Sequence, residues 1–398
     1  MIQKGFKFRI YPNKSQEVFL MKSFGCNRLV YNLGLECKIM NWNSSRRNID
    51  CYTLTGMLPE LKEAYPWLKE VNAQSLQFIL RSLDKAFINF FRYKKGFPKF
   101  KSKKSNYFSF SVSQSCKIIN NKLYFNKLPS PIKIKLDREL NGKIKTVTIS
   151  KNPSNQYFAT ILLEENSDRI PVQTLNENKT LGIDLGLTHF AILSNGNKIE
   201  NPKCLKKSLK KLQRVSKQYS RKQKGGKNQE KSRLKLAKLH QKISNQRNDF
   251  LHKLTYNLTH DNQVTSLVIE DLNVAGMMRN KSLSRSIRDA GWGRFKQLLE
   301  YKSKWYGVNF ITIDRFDPSS KMCSNCNYIN KDLTFDQRLW TCECGVTHDR
   351  DINAATNIKE FGIEQYRRNY GNQSLLRKSL VTDLYETGNL SSNQRGIS

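Results

Sequence analysis

The sequence lacks two features that define large classes of protein. No apolar run reaches the roughly 18 residues that a membrane-spanning helix needs. Residues 1–10 alternate between apolar and basic side chains, as in a strand, and contain no apolar core of a secretory signal. We therefore expect neither a membrane protein nor a secreted one.

Acidic residues are also scarce. The 398 residues include 33 Asp and Glu against 69 Lys and Arg, which gives a net charge of +36. Residues 205–250 hold sixteen basic side chains against only Glu230 and Asp249, so the helices predicted there have few internal ion pairs. A solvated basic face is the alternative for that segment, but the charge as a whole favours nucleic acid over a membrane surface. Affinity for such a partner falls steeply with salt.

The nine cysteines fall into two groups. Five are scattered without a disulfide framework, which indicates a reducing cytoplasm. The other four form the pattern C-x2-C-x15-C-x-C, which is typical of a zinc ribbon, and four free thiols in a loop are the alternative. The second pair is one residue shorter than usual, so His348 is a substitute ligand to consider. The four residues are Cys323, Cys326, Cys342 and Cys344.

The first half of the chain predicts helices followed by an antiparallel β-domain. A strand over 4–10 precedes two helices that reach about Trp42 and fit either a helix-turn-helix DNA reader or a plain helical hairpin. A longer helix is predicted over 73–93. Residues 94–104 mix cations with two phenylalanines and fit either a nucleic-acid contact or a solvated loop. A small barrel or sandwich is predicted from strands at 108–112, 117–125, 132–136, 144–150 and 156–163, followed by a linker at 166–178.

The second half alternates strands and helices. Residues 205–258 predict a pair of long helices on either side of a Gly225-Gly226 turn. Residues 366–398 lack a sustained apolar period, so we expect a short ordered segment followed by a disordered tail. The remaining predicted strands are 181–185, 190–193, 198–200, 266–269 and 308–313, and the remaining helices are 292–306 and 351–361.

Three carboxylates stand at unusual positions. Asp184 lies inside an apolar strand and Glu270 ends another, where charge is rare without a partner. Asp351 begins a predicted helix. If the three converge, each pair about 4 Å apart repels by roughly 4 kcal/mol at an effective dielectric near 20, unless a cation intervenes. Oxygen ligands select Mg²⁺ or Mn²⁺, and such a site can hydrolyse a phosphodiester.

Each carboxylate also has a purely structural interpretation. Asp184 could cap a turn, Glu270 could pair with a lysine, and Asp351 could serve only as a helix cap. The strand, strand, helix order within a basic protein favours the nuclease interpretation. Three nearby side chains are weaker candidates for the same site: Asp271, Asp349 and His189.

Six short segments of the second half form a recognisable set. They are Gly-Ile-Asp-Leu-Gly (182–186), Ile-Glu-Asp-Leu-Asn (269–273), Asp-Ala-Gly-Trp (289–292), Pro-Ser-Ser-Lys-x-Cys (318–323), Cys-Gly (344–345) and Asp-Arg-Asp-Ile-Asn-Ala-Ala (349–355). Together they resemble the TnpB (OrfB) family, which bacterial and archaeal insertion sequences encode. Residues 7–12 and 97–100 fit the family as well, so the resemblance covers most of the chain.

The resemblance implies a multidomain α+β protein. Its RNase H-like (RuvC) α/β nuclease core contains an inserted zinc ribbon, and its N-terminal wedge-like β-barrel carries an inserted helical recognition lobe. The implied boundaries are 1–12 and 101–178 for the barrel, 13–100 for the lobe, 179–318 and 348–365 for the nuclease domain, 319–347 for the ribbon and 366–398 for the tail.

The resemblance also implies an RNA-guided DNA endonuclease of a prokaryotic, nucleoid-associated cytoplasmic kind. Mg²⁺ or Mn²⁺, structural Zn²⁺ and a guide RNA are the implied cofactors, and target DNA beside a short flanking motif is the substrate. A separate transposase of the same element is a further partner. The residues that match the family's catalytic positions are Asp184, Glu270 and Asp351, and those that match its zinc ligands are Cys323, Cys326, Cys342 and Cys344.

Three other functions compete with a guided nuclease that supports transposon maintenance or transposition. A guided repressor that binds without cutting needs no costly carboxylates, and the chain has three. An accessory DNA-binding protein of transposition stays open. A single-strand transposase needs a His-x-His metal pair, which the five histidines do not form: His189, His240, His252, His260 and His348.

Overall fold

A computed structural model divides the chain into two compact units. The first unit comprises Met1–Asp168 and Arg221–Lys238, and the second comprises Arg169–Ser220 and Leu239–Ser398. No helix among the residues described is both long and apolar enough to cross a membrane. The structure describes the following residues, with side chains up to residue 369: 2–105, 108–165, 170–261, 263–334 and 337–388.

The first unit combines a β-sheet with a helical segment. Its strands are β1 (Ile2–Tyr11), β2 (Phe108–Val112), β3 (Lys117–Ile119), β4 (Lys122–Tyr124), β5 (Ile132–Lys135), β6 (Lys143–Lys151) and β7 (Tyr157–Glu165). Its helices are α1 (Lys14–Ser45), α2 (Cys51–Gly56), α3 (Leu58–Ala64) and α4 (Ala73–Tyr93).

The seven strands pair antiparallel in the order β2-β6-β7-β1-β5-β4-β3. Alternate residues such as Phe8 and Ile10 of β1 are buried against Leu20 and Phe24 of α1, so one face of the sheet forms the core. The predicted strands are confirmed. We expected a small antiparallel barrel or sandwich; among the described residues the strands form one sheet that is open between β2 and β3, each of which pairs with one neighbour.

Helix α1 corrects one prediction. We expected two helices up to about Trp42, and the structure has a single helix over Lys14–Ser45, so this segment contains no helix-turn-helix. No proline interrupts it, and a capping box between Asn13 and Gln16 fixes its start. Gly34 lets α4 approach, since a Cβ there would lie 2.8 Å from Leu80. The predicted helix over 73–93 is confirmed as α4.

The second unit holds the remaining elements. Its strands are β8 (Thr180–Leu185), β9 (His189–Leu193), β10 (Lys198–Glu200), β11 (Ser266–Glu270), β12 (Asn309–Ile313), β13 (Leu339–Thr341) and β14 (Thr347–Asp349). Its helices are α5 (Cys204–Ser220), α6 (Lys227–Tyr256, which begins in the first unit), α7 (Val274–Met277), α8 (Ser284–Ala290), α9 (Trp292–Tyr306) and α10 (Arg350–Gly388).

Five of these strands form a mixed sheet in the order β10-β9-β8-β11-β12. Strands β8, β11 and β12 are parallel, β9 pairs antiparallel with β8, and β10 pairs antiparallel with β9. Phe190 and Phe295 are fully buried between this sheet and its helices. Asp289 connects three elements, because its carboxylate accepts the Leu205 and Lys206 N–H groups at the start of α5 and pairs with Arg247 of α6.

Helix α10 follows the predicted start but is longer than expected. We expected a helix over 351–361 and a disordered tail from residue 366. The structure continues the helix to Gly388, so residues 366–388 of that predicted tail are helical. Residues 389–398 lie outside the described residues.

Candidate active site and metal centre

Two neighbouring strands place Asp184 and Glu270 side by side. Strands β8 and β11 are parallel with Ile183 opposite Ile269, so the next residue of each strand is one of the two carboxylates. Paired residues of adjacent strands point to the same face of a sheet. The two acids therefore share one face at the carboxyl ends of these strands.

Helix α10 lies against that same face. A Cβ at Gly182 would lie only 2.1 Å from the Ala355 carbonyl oxygen, and one at Gly362 would lie 2.3 Å from Val268. Gly182 stands two residues before Asp184, so α10 covers the face that this carboxylate shares. Gly182 is required because the backbone of α10 touches its strand, and Gly362 because the Val268 side chain fills the space beside it.

The helical period then brings Asp351 to the two strand carboxylates. Residues 351, 355 and 362 follow one side of α10, and Ala355 lies over Gly182. Asp351 stands one turn before Ala355, towards the end of β8 that carries Asp184. Helix α10 thus brings Asp351 close enough to Asp184 for its negative charge to raise the pKa of that carboxyl.

The electrostatics agree with this convergence. Burial raises the pKa of Asp184 to about 7, and the negative charges of Asp351 and Glu270 add to the effect. Burial also raises the pKa of Glu270, helped by Asp317 and Asp271. Neither Asp184 nor Glu270 has an ion-pair partner among the described residues. The Leu185 N–H and the charge of Arg350 offset only part of the effect on Asp184. A bound cation would further stabilise half-buried carboxylates of this kind.

Asp351 differs from the other two because a protein cation already contacts it. Arg338 Nη1 lies 3.0 Å from both carboxylate oxygens of Asp351. The Arg338 side chain is 58% exposed and that of Asp351 is 19% exposed. Sequence reasoning missed Arg338, since an arginine in a basic chain gives no signal of its own.

Of the three weaker candidates, Asp349 has a structural role beside the site. Asp349 caps α10: its Oδ1 accepts the Asp351 and Ile352 N–H groups at 3.0 and 3.2 Å, while Oδ2 pairs with Lys198. Asp349, not Asp351, is therefore the helix cap.

The other weaker candidates also have partners. Asp271 pairs with Lys296 at 2.7 Å and with Arg315 at 2.5 Å, which lowers the pKa of its carboxyl. His189 Nε2 lies 3.4 Å from Glu200 on the adjacent strand β10. These partners account for Asp271, Asp349 and His189 without an ion, whereas Asp184 and Glu270 have no ion pair among the described residues.

The four cysteines of the C-x2-C-x15-C-x-C segment form a second candidate centre. Their sulfur atoms all lie within 4.8 Å of one another, with Cys326 and Cys342 at 3.5 Å and Cys323 and Cys344 at 3.8 Å. Thiolates at tetrahedral corners around one Zn²⁺ stand about 3.8 Å apart. The donor set and its spacing therefore fit a zinc ion.

Two turns shape this centre. Asn327 and Gly345 adopt left-handed φ values of 62° and 86°, and their N–H groups donate to the Cys323 and Cys342 carbonyls. The shortened second pair is thereby accommodated. His348 Nε2 lies 3.0 Å from the Cys323 sulfur, and burial lowers the pKa of the imidazole. This contact suits a hydrogen bond to a ligand sulfur better than replacement of a cysteine.

Two further residues that sequence reasoning missed join the centres. Asn353 donates to the Met322 carbonyl and accepts the Ser324 N–H, while Asn357 donates to the Ser319 and Met322 carbonyls. Both asparagines are buried. They fix α10 to the chain that leads into the cysteines. Two amides four residues apart in a helix with an apolar period were the available signal.

Comparison with known proteins supports the family suggested by the sequence. The family described as "Probable transposase" (OrfB_IS605) matches residues 160–281, and "Cas12f1-like, TNB domain" matches residues 292–358. A "Putative RNA-guided DNA endonuclease" of Streptomyces pristinaespiralis is 38% identical, across 91% of this chain and 90% of that protein. The chain belongs to the TnpB (OrfB) family. Residues 1–47 also match a "Helix-turn-helix domain" of the family, although α1 is one continuous helix.

Other matches agree with membership of the TnpB family. The Escherichia coli K12 "Putative RNA-guided DNA endonuclease InsQ" is 31% identical, across 90% of this chain and 92% of that protein. The solved "Cas12f1-sgRNA-target DNA complex" superposes with a TM-score of 0.58 at 14% identity, covering 90% of this chain and 98% of that one. The latter likeness shows a shared α+β fold.

Proposed function

We propose that this TnpB-family chain is an RNA-guided, Mg²⁺- or Mn²⁺-dependent DNA endonuclease. The proposal is supported by the placement of Asp184 and Glu270 at the ends of two paired parallel strands, with Asp351 on the helix that covers the same face. A pure binding protein gains nothing from buried carboxylates that repel one another. The names of its two bacterial relatives support the same activity.

The mixed sheet supports an RNase H-like (RuvC) nuclease domain over 179–318 and 348–365. The cysteine segment, 319–347, is proposed as a structural zinc ribbon held by its four thiolates. We propose that the open sheet belongs to the wedge-like domain (1–12 and 101–178) and that residues 13–100 form the recognition lobe. The two asparagines of α10 connect the ribbon to the helix that carries Asp351.

In this mechanism, Asp184, Glu270 and Asp351 hold the divalent ions. When bound, the ions supply positive charge to the scissile phosphodiester and activate water. Asp349 holds Asp351 in place by capping the first turn of α10, and Lys296 and Arg315 keep Asp271 turned to its own ion pairs. No protein nucleophile is required. The carboxylates act by fixing charge where the phosphodiester reacts.

The charge of +36 suits a long contact with a guide RNA and its target DNA. In the proposed reaction, the guide pairs with one DNA strand while the protein recognises a short flanking motif. Such a protein acts in a prokaryotic cytoplasm, beside a separate transposase of the same element, and supports the element's maintenance or transposition. These assignments rest on family membership and on the names of the relatives.

The test is a plasmid-cleavage assay with the RNA that co-purifies with the full chain. Sequencing that RNA defines the target, and a library of flanking sequences defines the motif. Cleavage is expected to need Mg²⁺ or Mn²⁺ and to fall by about 100-fold or more in Asp184→Ala, Glu270→Ala or Asp351→Ala.

A matched control is Glu364→Gln, because Glu364 is an exposed carboxylate on the same helix as Asp351. This variant is expected to cleave like the wild type. Normal cleavage by Asp351→Ala would refute the assignment of the site. Guided binding by the wild type without cleavage in any divalent ion would instead favour the repressor function.

A further inference from the structure

The loop after β12 presents the most exposed large apolar side chain among the described residues. Phe316 is 86% exposed, more than any other side chain of this class in the described part of the chain. Single exposed apolar residues are common on protein surfaces and need no explanation by themselves. The position of Phe316 is what distinguishes it.

The residues before Phe316 lie beside the carboxylate site. Ile313, at the end of β12, pairs with Glu270 across the sheet. The Asp271 N–H donates to the Ile313 carbonyl at 3.2 Å. Arg315 reaches Asp271, the residue after Glu270, at 2.5 Å. Phe316 therefore stands at the rim of the site that holds Asp184, Glu270 and Asp351.

The backbone of this loop is held by its own hydrogen bonds. The Phe316 N–H donates to the Asp314 side chain at 2.9 Å, and the Ser319 N–H donates to the Asp317 carbonyl at 2.7 Å. The ion pair between Arg315 and Asp271 also fixes the loop to the end of β11. The backbone that carries the ring is thus already ordered, which lowers the entropic cost of binding a ligand there.

We propose that Phe316 stacks on an unpaired nucleobase of the DNA strand that the carboxylate site cleaves. This inference rests on the proposed nuclease function. A neutral aromatic ring can stack on a base even beside acidic residues. A further carboxylate or cation at this position would act on the phosphodiester and not on the base. In duplex DNA the neighbouring bases cover both faces of each base. Phe316 therefore selects single-stranded DNA and fixes the base next to the scissile phosphate.

The contribution expected of one base–aromatic stack is roughly 5- to 150-fold in affinity. In guided cleavage, Phe316→Ala is expected to raise KM or lower the cleavage rate within that range. Phe316→Tyr and Phe316→Trp should restore most of the loss, whereas Phe316→Leu should not, because leucine is apolar but has no ring. Val172→Ala removes another exposed apolar side chain of the same unit and is expected to have no effect.

A second measurement needs no chemistry. Full-length Asp184→Asn protein is mixed with a short single-stranded oligodeoxynucleotide that carries 2-aminopurine, whose fluorescence falls when it stacks. Quenching is expected to be weaker in Asp184→Asn/Phe316→Ala than in Asp184→Asn, and a duplex of the same sequence should show no difference between the two proteins.

The outcomes separate the two proposals. If the wild type never cleaves guided targets, the proposed function fails, and the quenching experiment still tests Phe316 as a base-binding residue. If Phe316→Leu cleaves like the wild type, or if the Phe316→Ala change leaves the quenching unaltered, the stacking proposal is wrong whatever the enzyme does.

Discussion

Replacing Asp184 by asparagine should stabilise the protein while abolishing cleavage. The carboxyl of Asp184 has a pKa raised from 3.8 to about 7, mainly by burial and then by Asp351 and Glu270. Keeping it ionised at pH 8 costs about 1.36 kcal/mol for each pKa unit, or about 4 kcal/mol in all. Asparagine has a similar shape and no charge, so the variant avoids this cost.

The pH dependence follows from the direction of that shift. Between pH 4 and pH 7 the folded protein keeps a proton on Asp184 that the unfolded chain has lost, so the wild type loses stability as the pH rises. The advantage of Asp184→Asn should be near zero at pH 4 and reach its full value above pH 7. From pH 5 to pH 8 it should grow by about 3 kcal/mol, or roughly 6–12 °C in melting temperature.

The assay is thermal melting of both proteins in EDTA at pH 5 and pH 8, with Glu364→Gln as an exposed control that should melt like the wild type at both. Added Mg²⁺ should raise the melting temperature of the wild type at pH 8 and affect Asp184→Asn less. An equal difference at the two pH values, or a destabilised Asp184→Asn, would refute the raised pKa of Asp184.

Three further predictions concern the positioning of the site. Gly182→Ala should destabilise the second unit by about 1–3 kcal/mol or more in thermal melting, because the new Cβ would lie 2.1 Å from the Ala355 oxygen. Gly5→Ala is the control and should melt like the wild type, because a Cβ at Gly5 has nothing within 4 Å. Cys326→Ser should lose bound zinc by elemental analysis and lower the melting temperature, while Cys116→Ser, whose thiol lies outside the cluster, should keep the metal. Asp349→Ala should lower the free energy of unfolding by about 0.5–2 kcal/mol, because it removes the cap of α10. It should reduce cleavage less than Asp351→Ala does. Equal loss of cleavage in the two variants would make Asp349 a ligand.

The sequence by itself determined the elements and the type of chemistry. Period-two and helical patterns located the strands of both sheets and α4, since burial of one face imposes those periods. The charged residues Asp184 and Glu270 stood out because they interrupt buried strands. The cysteine spacing identified the second centre, since four ligands within one short segment can close on an ion without the rest of the fold.

Only the tertiary structure decided how those parts meet. The register of β8 and β11 sets Asp184 beside Glu270, and the contact at Gly182 brings in Asp351 from 167 residues further along the chain. Arg338 acquires a role only through its contact with Asp351. Periodicity could not reveal that α1 is one helix or that the β-domain is an open sheet. Local patterns report which face of an element is buried, whereas these features depend on which distant segment covers it.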